Sequence, residues 1–433
     1  MGLLRLHRLL RKRLSVVRFV SISSLIGITG LTAIAITARA QDSLTATSAF
    51  DRFKPTQTQL EQIRRHGPWP PEPATDPGNE LSGSADAERL GESLFNNKQL
   101  SARADISCSS CHQARWGFTD NLPLASGIQT HTRNTQGLFN LDQQRWFGWD
   151  GGADSLWAAS LRPLLSPIEM GSTPSTIAAA IRRDPVFIAQ ATLAAQRAGD
   201  SNLICSNRRS ATSVTTDESL MVYGAKAIAA YVRTLRSGPT PFDRLYKEFF
   251  NPPARGSATD EYPSYPLAAW RGLGIFSGKG QCHLCHYGPN FSNGEFHDIG
   301  RPFIVAPGQV DPGRFRGIQR VQADPYNQLG VFSQRQTNAN GEDGCEIRPP
   351  AVASLKLGQV NWGQWRTPSL RNLKTTAPYM HDGSLATLRD VVDWYADIDV
   401  TRLHANGETI LQPLTLSARD RDDLVAFLLS LSP

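Results

Sequence analysis

The chain contains the pattern Cys-x-x-Cys-His twice, as Cys108-Ser109-Ser110-Cys111-His112 and as Cys282-His283-Leu284-Cys285-His286. This is the attachment pattern of a c-type haem, in which two thiols form thioethers with the porphyrin and the adjacent histidine ligates the iron. Zinc ribbons and thioredoxin-like dithiols also use Cys-x-x-Cys pairs. However, zinc ribbons usually separate their pairs by roughly 15–20 residues, and neither alternative explains the two histidines. The sequence therefore predicts two covalently bound haems. The residues predicted to hold them are Cys108, Cys111 and His112 in the first motif and Cys282, Cys285 and His286 in the second.

The first 40 residues begin with basic side chains and continue as an apolar segment. Six Lys and Arg residues lie within the first 18 positions, an apolar run extends from Phe19 to Ala38, and the segment ends in Ala38-Arg39-Ala40. This is typical of a secretory signal peptide, so we expect export to a bacterial periplasm. The length of the apolar run leaves an uncleaved inner-membrane anchor as the alternative.

The net charge and the two remaining cysteines say less about function than the haem motifs do. Without residues 1–40, 38 Lys and Arg face 39 Asp and Glu, so the rest of the chain is nearly neutral and nothing argues for nucleic-acid binding. Cys205 and Cys345 lie outside the two motifs. An oxidising compartment would allow them to form a disulfide, but the sequence leaves this pairing open.

One haem motif in each half predicts two domains in a mainly α fold, each enclosing one haem. We expect a signal peptide at 1–40, an extended, proline-rich N-terminal arm at 41–80, an N-terminal cytochrome c domain at 81–238 and a C-terminal one at 239–433. Apolar periodicity predicts helices and indicates no strand ladder. The expected helices begin near Ser84 and cover Ile177 to Ala198, Leu220 to Arg236, Leu267 to Phe276, 385–396 and 417–431.

Further motifs follow in a fixed order. They are Trp149-Asp150-Gly151, Pro167-Ile168-Glu169-Met170-Gly171, Arg366-Thr367-Pro368-Ser369-Leu370-Arg371-Asn372 and Ala377-Pro378-Tyr379-Met380-His381-Asp382-Gly383. With them, the chain resembles the bacterial dihaem cytochrome c peroxidases from about residue 84 to its end, and the MauG-like enzymes belong to the same superfamily. The resemblance implies that hydrogen peroxide is reduced at the N-terminal haem and that electrons pass through the C-terminal haem.

The same resemblance implies roles for individual residues. It places Trp149 between the haems and Glu169 with Pro163 in the peroxide pocket. A carboxylate over an open iron face can relay the proton needed for cleavage of the O–O bond. Taken alone, Glu169 would be a solvated loop residue and Trp149 an aromatic core residue. The residues that match the calcium ligands of the family are Asn134, Thr376 and Pro378.

Two departures from the family pattern concern the peroxide pocket. Ala159 stands where family members usually carry a glutamine, ten residues after the bridging tryptophan. The loop from Leu124 to Arg133 contains only His131, whereas the typical peroxidase uses a loop histidine as a resting-state iron ligand. We expect His131 to be a polar surface residue and the first iron to be five-coordinate.

The sixth ligand of the second haem separates the branches of the superfamily. Tyr395 stands where cytochrome-fed peroxidases place a methionine, although it shares a helical face with Leu388 and Val392 and could be a core residue. Met380 is the second candidate ligand. A tyrosinate ligand would favour the ferric state and the MauG-like branch, whose substrate is a partner protein. A methionine would favour a small c-type cytochrome or a cupredoxin as electron donor.

The sequence thus predicts a periplasmic dihaem c-type peroxidase. The alternative is a non-catalytic dihaem electron carrier, in which both irons would be six-coordinate. Glu169, Pro163 and the absence of a distal ligand argue against that alternative. The oligomeric state stays open.

Overall fold

The computed structural model describes residues 48–76, 78–190, 216–252, 265–301, 304–333, 351–402 and 408–433. Within these residues the chain is mainly helical, which confirms the predicted class. The predicted signal peptide, Cys205 and Cys345 lie outside the described residues. Across the described ranges, no helix is long and apolar enough to cross a membrane.

The described α-helices are numbered in chain order. They are α1 (Ala49–Phe53), α2 (Gln57–Arg64), α3 (Ala85–Phe95), α4 (Cys108–Cys111), α5 (Leu156–Leu165), α6 (Pro174–Arg183), α7 (Asp217–Thr234), α8 (Pro241–Phe250), α9 (Leu267–Ser277), α10 (Arg314–Ala323), α11 (Leu388–Ala396) and α12 (Ala418–Leu429). The predicted boundary near residue 238 falls in the connection between α7 and α8.

The described strands are short and form two antiparallel pairs. They are β1 (Phe296–Asp298), β2 (Ile304–Ala306), β3 (Gln309–Val310) and β4 (Gln364–Arg366). β1 pairs with β4, so that Phe296 lies opposite Arg366, and β2 pairs with β3. The pairing of β1 with β4 joins the chain just after the second motif to the segment just before Thr367.

Local capping explains where the predicted helices begin and end. The Ser84 side chain accepts a hydrogen bond from the Ala87 amide and starts α3, which buries Leu90 and Leu94 as its spacing predicts. The helix predicted from Ile177 to Ala198 is interrupted at Asp184, and its residues 191–198 lie outside the described residues. The Asp184 carboxylate accepts from the Val186 amide and starts a new helical segment there.

The two hydrophobic cores have the same arrangement of crossing helices. In the first core α3, α5 and α6 pack on α7, and in the second α9 and α11 pack on α12. A Cβ atom on Gly91 would lie 2.0 Å from the Ala227 carbonyl oxygen, and one on Gly272 would lie 2.0 Å from the Asp423 carbonyl oxygen. Only glycine allows the α3–α7 and α9–α12 backbones to approach so closely. Each motif follows the glycine-bearing helix of its own core.

The N-terminal arm is helical at its start and packs on the second core. Thr56 and Gln59 form a capping box that begins α2, and the Phe53 ring stacks on Trp270 with centroids 4.7 Å apart. The prediction of an extended arm is therefore wrong for α1 and α2. The proline-rich part beyond them contains no described helix, and its Trp69 ring lies under the Arg371 guanidinium at 3.6 Å.

Candidate active site

The first motif forms the short helix α4 and presents a histidine of defined tautomer. The His112 Nδ1–H donates to the Phe118 carbonyl oxygen at 2.8 Å, so Nε2 keeps its lone pair. Burial lowers the pKa of His112, which therefore stays neutral at pH 7. Burial raises the pKa of Cys108 to about 12 and that of Cys111 to about 11. The motif thus combines two uncharged thiols with an imidazole ready to bind a metal.

The second motif repeats this arrangement. The His286 Nδ1–H donates to the Phe291 carbonyl oxygen at 2.9 Å, and burial lowers the pKa of His286 to about 4. A mainly apolar cavity of about 280 Å³ is bordered by Cys282, Cys285 and His286. Because the local hydrogen bond is the same in both motifs, both histidines carry their lone pair on Nε2.

The residues around the second motif fit a haem. The thiols and the imidazole suit the vinyl groups and the iron, and the cavity wall is apolar. Arg366 also borders the cavity and is 5% exposed. Its guanidinium bonds to the Gly148 and Thr367 carbonyl oxygens, and no described carboxylate forms an ion pair with it. Burial lowers the pKa of Arg366 to about 10. A buried guanidinium without a carboxylate partner suits the propionate groups of a haem.

The predicted peroxide-pocket residues lie at the end of α5 and in the turn that follows. Pro163 lies within α5, and its carbonyl oxygen accepts from the Met170 amide at 3.1 Å. This bond folds the turn back onto the helix and places Glu169, which is half-buried. The Glu169 carboxylate is close enough to contribute to the pKa values of both Cys111 and His112. The structure therefore brings Glu169 to the first motif, whereas Ala159 on α5 offers no hydrogen-bonding side chain there.

The loop from Leu124 to Arg133 is a hairpin next to that turn. The Ala125 amide donates to the Arg133 carbonyl oxygen, and the His131 amide donates to the Ala125 carbonyl oxygen. At its tip, the Ile128 amide donates to the Glu169 carbonyl oxygen at 2.9 Å. His131 is half-buried, and its assignment as a polar surface residue stays a prediction. The hairpin packs against the Glu169 turn through the hydrogen bond of the Ile128 amide.

Trp149 is held by contacts from both halves of the chain. Its indole N–H donates to the Asn134 carbonyl oxygen at 2.9 Å, and its own carbonyl oxygen accepts from the Arg366 amide at 2.9 Å. Trp149 also borders the cavity of the second motif. Side chain and backbone are thus both fixed next to that cavity.

A buried ionic cluster beside Trp149 was not predicted from the sequence. The Asp150 side chain is fully buried, and its Oδ2 lies 2.9 Å from Arg133 Nη1 and 3.1 Å from Arg320 Nη1. Arg133 also makes a bidentate pair with Asp311, at 2.7 and 2.8 Å. Burial opposes the ionisation of Asp150, but the neighbouring arginines outweigh burial and hold its pKa well below the usual range. The only sequence signal was an aspartate inside the Trp-Asp-Gly motif.

Both candidate ligands of the second site, Tyr395 and Met380, border the same cavity as Cys282 and His286. Tyr395 lies on α11, with Leu388 and Val392 on the same face as the sequence predicts. Burial, and next the neighbouring thiols, raise the pKa of the Tyr395 hydroxyl. An aromatic stack of Trp365 and His381, with centroids 3.6 Å apart, also borders the cavity.

The three predicted calcium residues also border this cavity. They are Asn134, Thr376 and Pro378. The Asn134 side-chain N–H donates to the Leu122 carbonyl oxygen at 2.8 Å, so the amide nitrogen is engaged and the amide oxygen is left as the acceptor. No cluster of three His, Cys, Asp or Glu residues that could hold a metal occurs among the described residues. A calcium ion here would therefore depend on amide and carbonyl oxygens, which calcium accepts.

Comparison with known proteins identifies relatives over about four fifths of the chain. Residues 85–249 match the family model of the di-haem cytochrome c peroxidases. The methylamine utilization protein MauG of Methylorubrum extorquens is 29% identical over 78% of this chain and 76% of its own length. The cytochrome-c peroxidase IdrP2 of Denitromonas iodatirespirans is 30% identical over 81% of this chain and 83% of its own.

A solved structure shares the fold. The crystal structure of a MauG-like protein associated with microbial copper homeostasis superposes with a TM-score of 0.58. It is 24% identical and covers 84% of this chain and 95% of its own. At that level of identity, the likeness concerns the fold.

Proposed function

The chain belongs to the di-haem cytochrome c peroxidase family, to which the MauG proteins also belong, and from this premise we propose that it reduces hydrogen peroxide at the site of its first motif. It is an oxidoreductase that acts on peroxide, it has haem c cofactors, and it consists of two c-type cytochrome domains. The finer assignments rest on the geometry of its own residues.

We propose that each motif holds one haem covalently. Cys108 and Cys111 attach the first and His112 ligates its iron through Nε2, while Cys282, Cys285 and His286 do the same for the second. The support is the shared Nδ1–H bond to a backbone carbonyl, which orients each ring and increases the basicity of Nε2. When bound, the haem iron supplies a coordination site for peroxide and a store for single electrons. Arg366, which borders the second cavity, would neutralise the propionate charge there.

The chemistry of the first site depends on Glu169. Hydrogen peroxide accepts two electrons and two protons, its O–O bond breaks and two water molecules form, while the donor loses two electrons. The Glu169 carboxylate accepts a proton from one peroxide oxygen and returns it to the other, which then leaves as water. Pro163 fixes the turn through its carbonyl oxygen, which accepts from the Met170 amide. The single observation that carries this assignment is the placement of Glu169 beside the first motif.

Trp149 and Tyr395 determine where the electrons come from. We propose that the fixed Trp149 indole relays electrons between the two sites, and that the Tyr395 phenolate ligates the second iron, with Met380 as the alternative. A tyrosinate ligand lowers the reduction potential of a haem, so a small cytochrome or a cupredoxin becomes a poor donor. The same ligand favours the higher oxidation states of the iron, so the second haem would store an oxidising equivalent taken from peroxide, and aromatic side chains of a partner protein would supply the electrons, as in the MauG-like branch. Asn134, Thr376 and Pro378 bind a calcium ion between the sites, and residues 1–40 direct export to the periplasm.

Glu169→Gln tests the central step. The amide keeps the size of the carboxyl group but cannot take up the proton, so peroxide consumption should fall by on the order of 10²–10⁴-fold with unchanged haem content and absorption spectra. Glu61→Gln, which neutralises an exposed carboxylate on α2, is the matched control and should consume peroxide at the wild-type rate. An unchanged rate in Glu169→Gln would remove Glu169 from the mechanism.

A further inference from the structure

We propose that His131 donates a hydrogen bond from Nε2–H into the peroxide pocket beside Glu169, and that it does not ligate the iron. The inference depends on the proposed function, because it takes the pocket of the first motif as the site of peroxide reduction. It gives the hairpin from Leu124 to Arg133 a chemical role. It also supplies the donor that Ala159 lacks.

The first argument is the tautomer of His131. The Arg133 backbone N–H donates to His131 Nδ1 at 3.0 Å, so Nδ1 carries a lone pair and the ring proton of the neutral imidazole is on Nε2. In His112 and His286 the opposite holds, because Nδ1–H donates to a carbonyl oxygen and Nε2 keeps its lone pair. His131 could ligate iron through Nε2 only after losing its bond to Arg133 and moving its proton. The hydrogen bonds thus favour the tautomer of an iron ligand in His112 and His286 and the tautomer of a hydrogen-bond donor in His131.

The second argument is the position of the hairpin. The Ile128 amide donates to the Glu169 carbonyl oxygen and the Gln129 amide donates to the Ile168 carbonyl oxygen, both at 2.9 Å. A Cβ atom on Gly127 would lie 2.6 Å from Glu169 Cα, so the hairpin backbone rests directly on the Glu169 turn. The Ser126 carbonyl oxygen lies 3.6 Å from Cys111 Sγ. The hairpin therefore spans the distance between the attachment thiol and the proposed proton relay.

The third argument is the charge around the ring. The charged groups that face His131 are Glu169 and Asp311, which raise its pKa, and Arg133 and Arg162, which lower it. Burial is the largest effect and makes the net shift downward, so the ring is neutral at pH 7. Glu169 has the largest effect among these charges. A neutral ring with its proton on Nε2 can donate a hydrogen bond without adding a charge to the pocket.

A hydrogen-bond donor, His131, next to a hydrogen-bond acceptor, Glu169, can bind both ends of hydrogen peroxide. One peroxide oxygen can accept from His131 Nε2–H while the other peroxide hydroxyl donates to Glu169. A donor fixed in advance stabilises the negative charge that develops on the leaving oxygen. Because the Arg133 amide fixes the ring tautomer and the main chain fixes the hairpin, His131 needs no rearrangement to act.

Fluoride binding to the haem-loaded ferric protein tests this without turnover. Fluoride at the first iron accepts a hydrogen bond from a pocket donor, so His131→Ala should weaken its affinity roughly tenfold, the typical effect of one hydrogen bond to a charged group. His131→Gln, which restores a side-chain N–H donor, should retain most of the affinity. Thr130→Ala, an exposed change in the same hairpin, is the matched control and should bind fluoride as the wild type does.

Electron paramagnetic resonance of the same resting proteins distinguishes the outcomes. We expect a high-spin signal from the first haem in the wild type and in both His131 variants. A low-spin signal that His131→Ala converts to high spin would show that His131 is a ligand and would overturn the proposal. Equal fluoride affinity in wild type and His131→Ala would also overturn it. If Glu169→Gln still abolished peroxide consumption in that case, the proposed function would survive; if Glu169→Gln had no effect either, the pocket itself would be misassigned.

Discussion

The substitution Asp150→Asn tests how the two halves of the chain are held together at Trp149. Asparagine keeps the shape of the side chain and its acceptor for the Gly152 amide but removes the charge shared by Arg133 and Arg320. Removing one partner of a fully buried ion pair costs about 3–5 kcal/mol. Because Arg133 keeps its bidentate pair with Asp311, we expect a loss at the low end of this range, which is about 3 kcal/mol of unfolding free energy. This corresponds to roughly a hundredfold change in the folding equilibrium.

The effect should depend on pH in one direction. The pKa of Asp150 is lower in the folded chain than in the unfolded chain, so its contribution is fully present above the unfolded value of about 3.9. The contribution is lost as the pH falls through that value towards the folded pKa. The stability difference between wild type and Asp150→Asn should therefore be constant from pH 7 to pH 5 and should shrink below about pH 4.

Urea unfolding of the haem-loaded proteins, followed by tryptophan fluorescence and by haem absorbance, measures the difference. Asp422→Asn is the matched control, since it neutralises an exposed carboxylate on α12 whose ion pair with Arg389 is worth at most about 1 kcal/mol. If Asp150→Asn were no more destabilising than Asp422→Asn at pH 7, the cluster would not hold the two halves together. A difference that grew on acidification would contradict the assigned charge state of Asp150.

The remaining predictions concern the haems and calcium. If the Tyr395 phenolate is a ligand, Tyr395→Phe should change the absorption spectrum of the second haem. Tyr395→Met should raise the reduction potential of that haem, which potentiometry measures. A near-infrared methionine-to-iron band in the wild type would instead assign Met380 as the ligand. Acid–acetone extraction should leave both haems on the protein, and Cys111→Ser and Cys285→Ser should each weaken one attachment; free haem extracted from the wild type would contradict covalent binding. Metal analysis should find one calcium per chain, with weaker retention in Asn134→Ala during chelator titration; equal retention would exclude the Asn134 amide oxygen as a ligand.

The motifs and helices were predictable because neighbours in the sequence determine them. Ser84 caps α3 three residues before the amide it binds, and the apolar spacing of that helix shows which face is buried. Each motif histidine finds its carbonyl partner within six residues, as in His112 with Phe118 and His286 with Phe291. Short-range rules are therefore enough to indicate the fold class and the local structure of the two motifs.

Long-range pairing explains what the sequence did not show. Arg133 and Asp311 are 178 positions apart, and Asp150 and Arg320 are 170 apart, so nothing local indicates that they meet. Arg133 is buried because its charge is paired with carboxylates from distant parts of the chain, and this pairing draws the hairpin inward.

The proposed difference in function between the two sites depends on the residues around each motif that the other motif lacks. In both sites, two helices cross closely at a glycine, and the first of them precedes a Cys-x-x-Cys-His motif. The motif histidine donates to a backbone carbonyl oxygen in each case, so these shared features do not explain why the two sites would differ in function. The first site adds Glu169 on a half-buried turn, our proposed proton acceptor, and the His131 hairpin, our proposed hydrogen-bond donor. The second adds the α11 phenol Tyr395 in a mainly apolar cavity and the fixed indole of Trp149, which suit electron exchange. These differences support the proposal that proton-coupled cleavage of peroxide belongs to the first site and electron supply to the second.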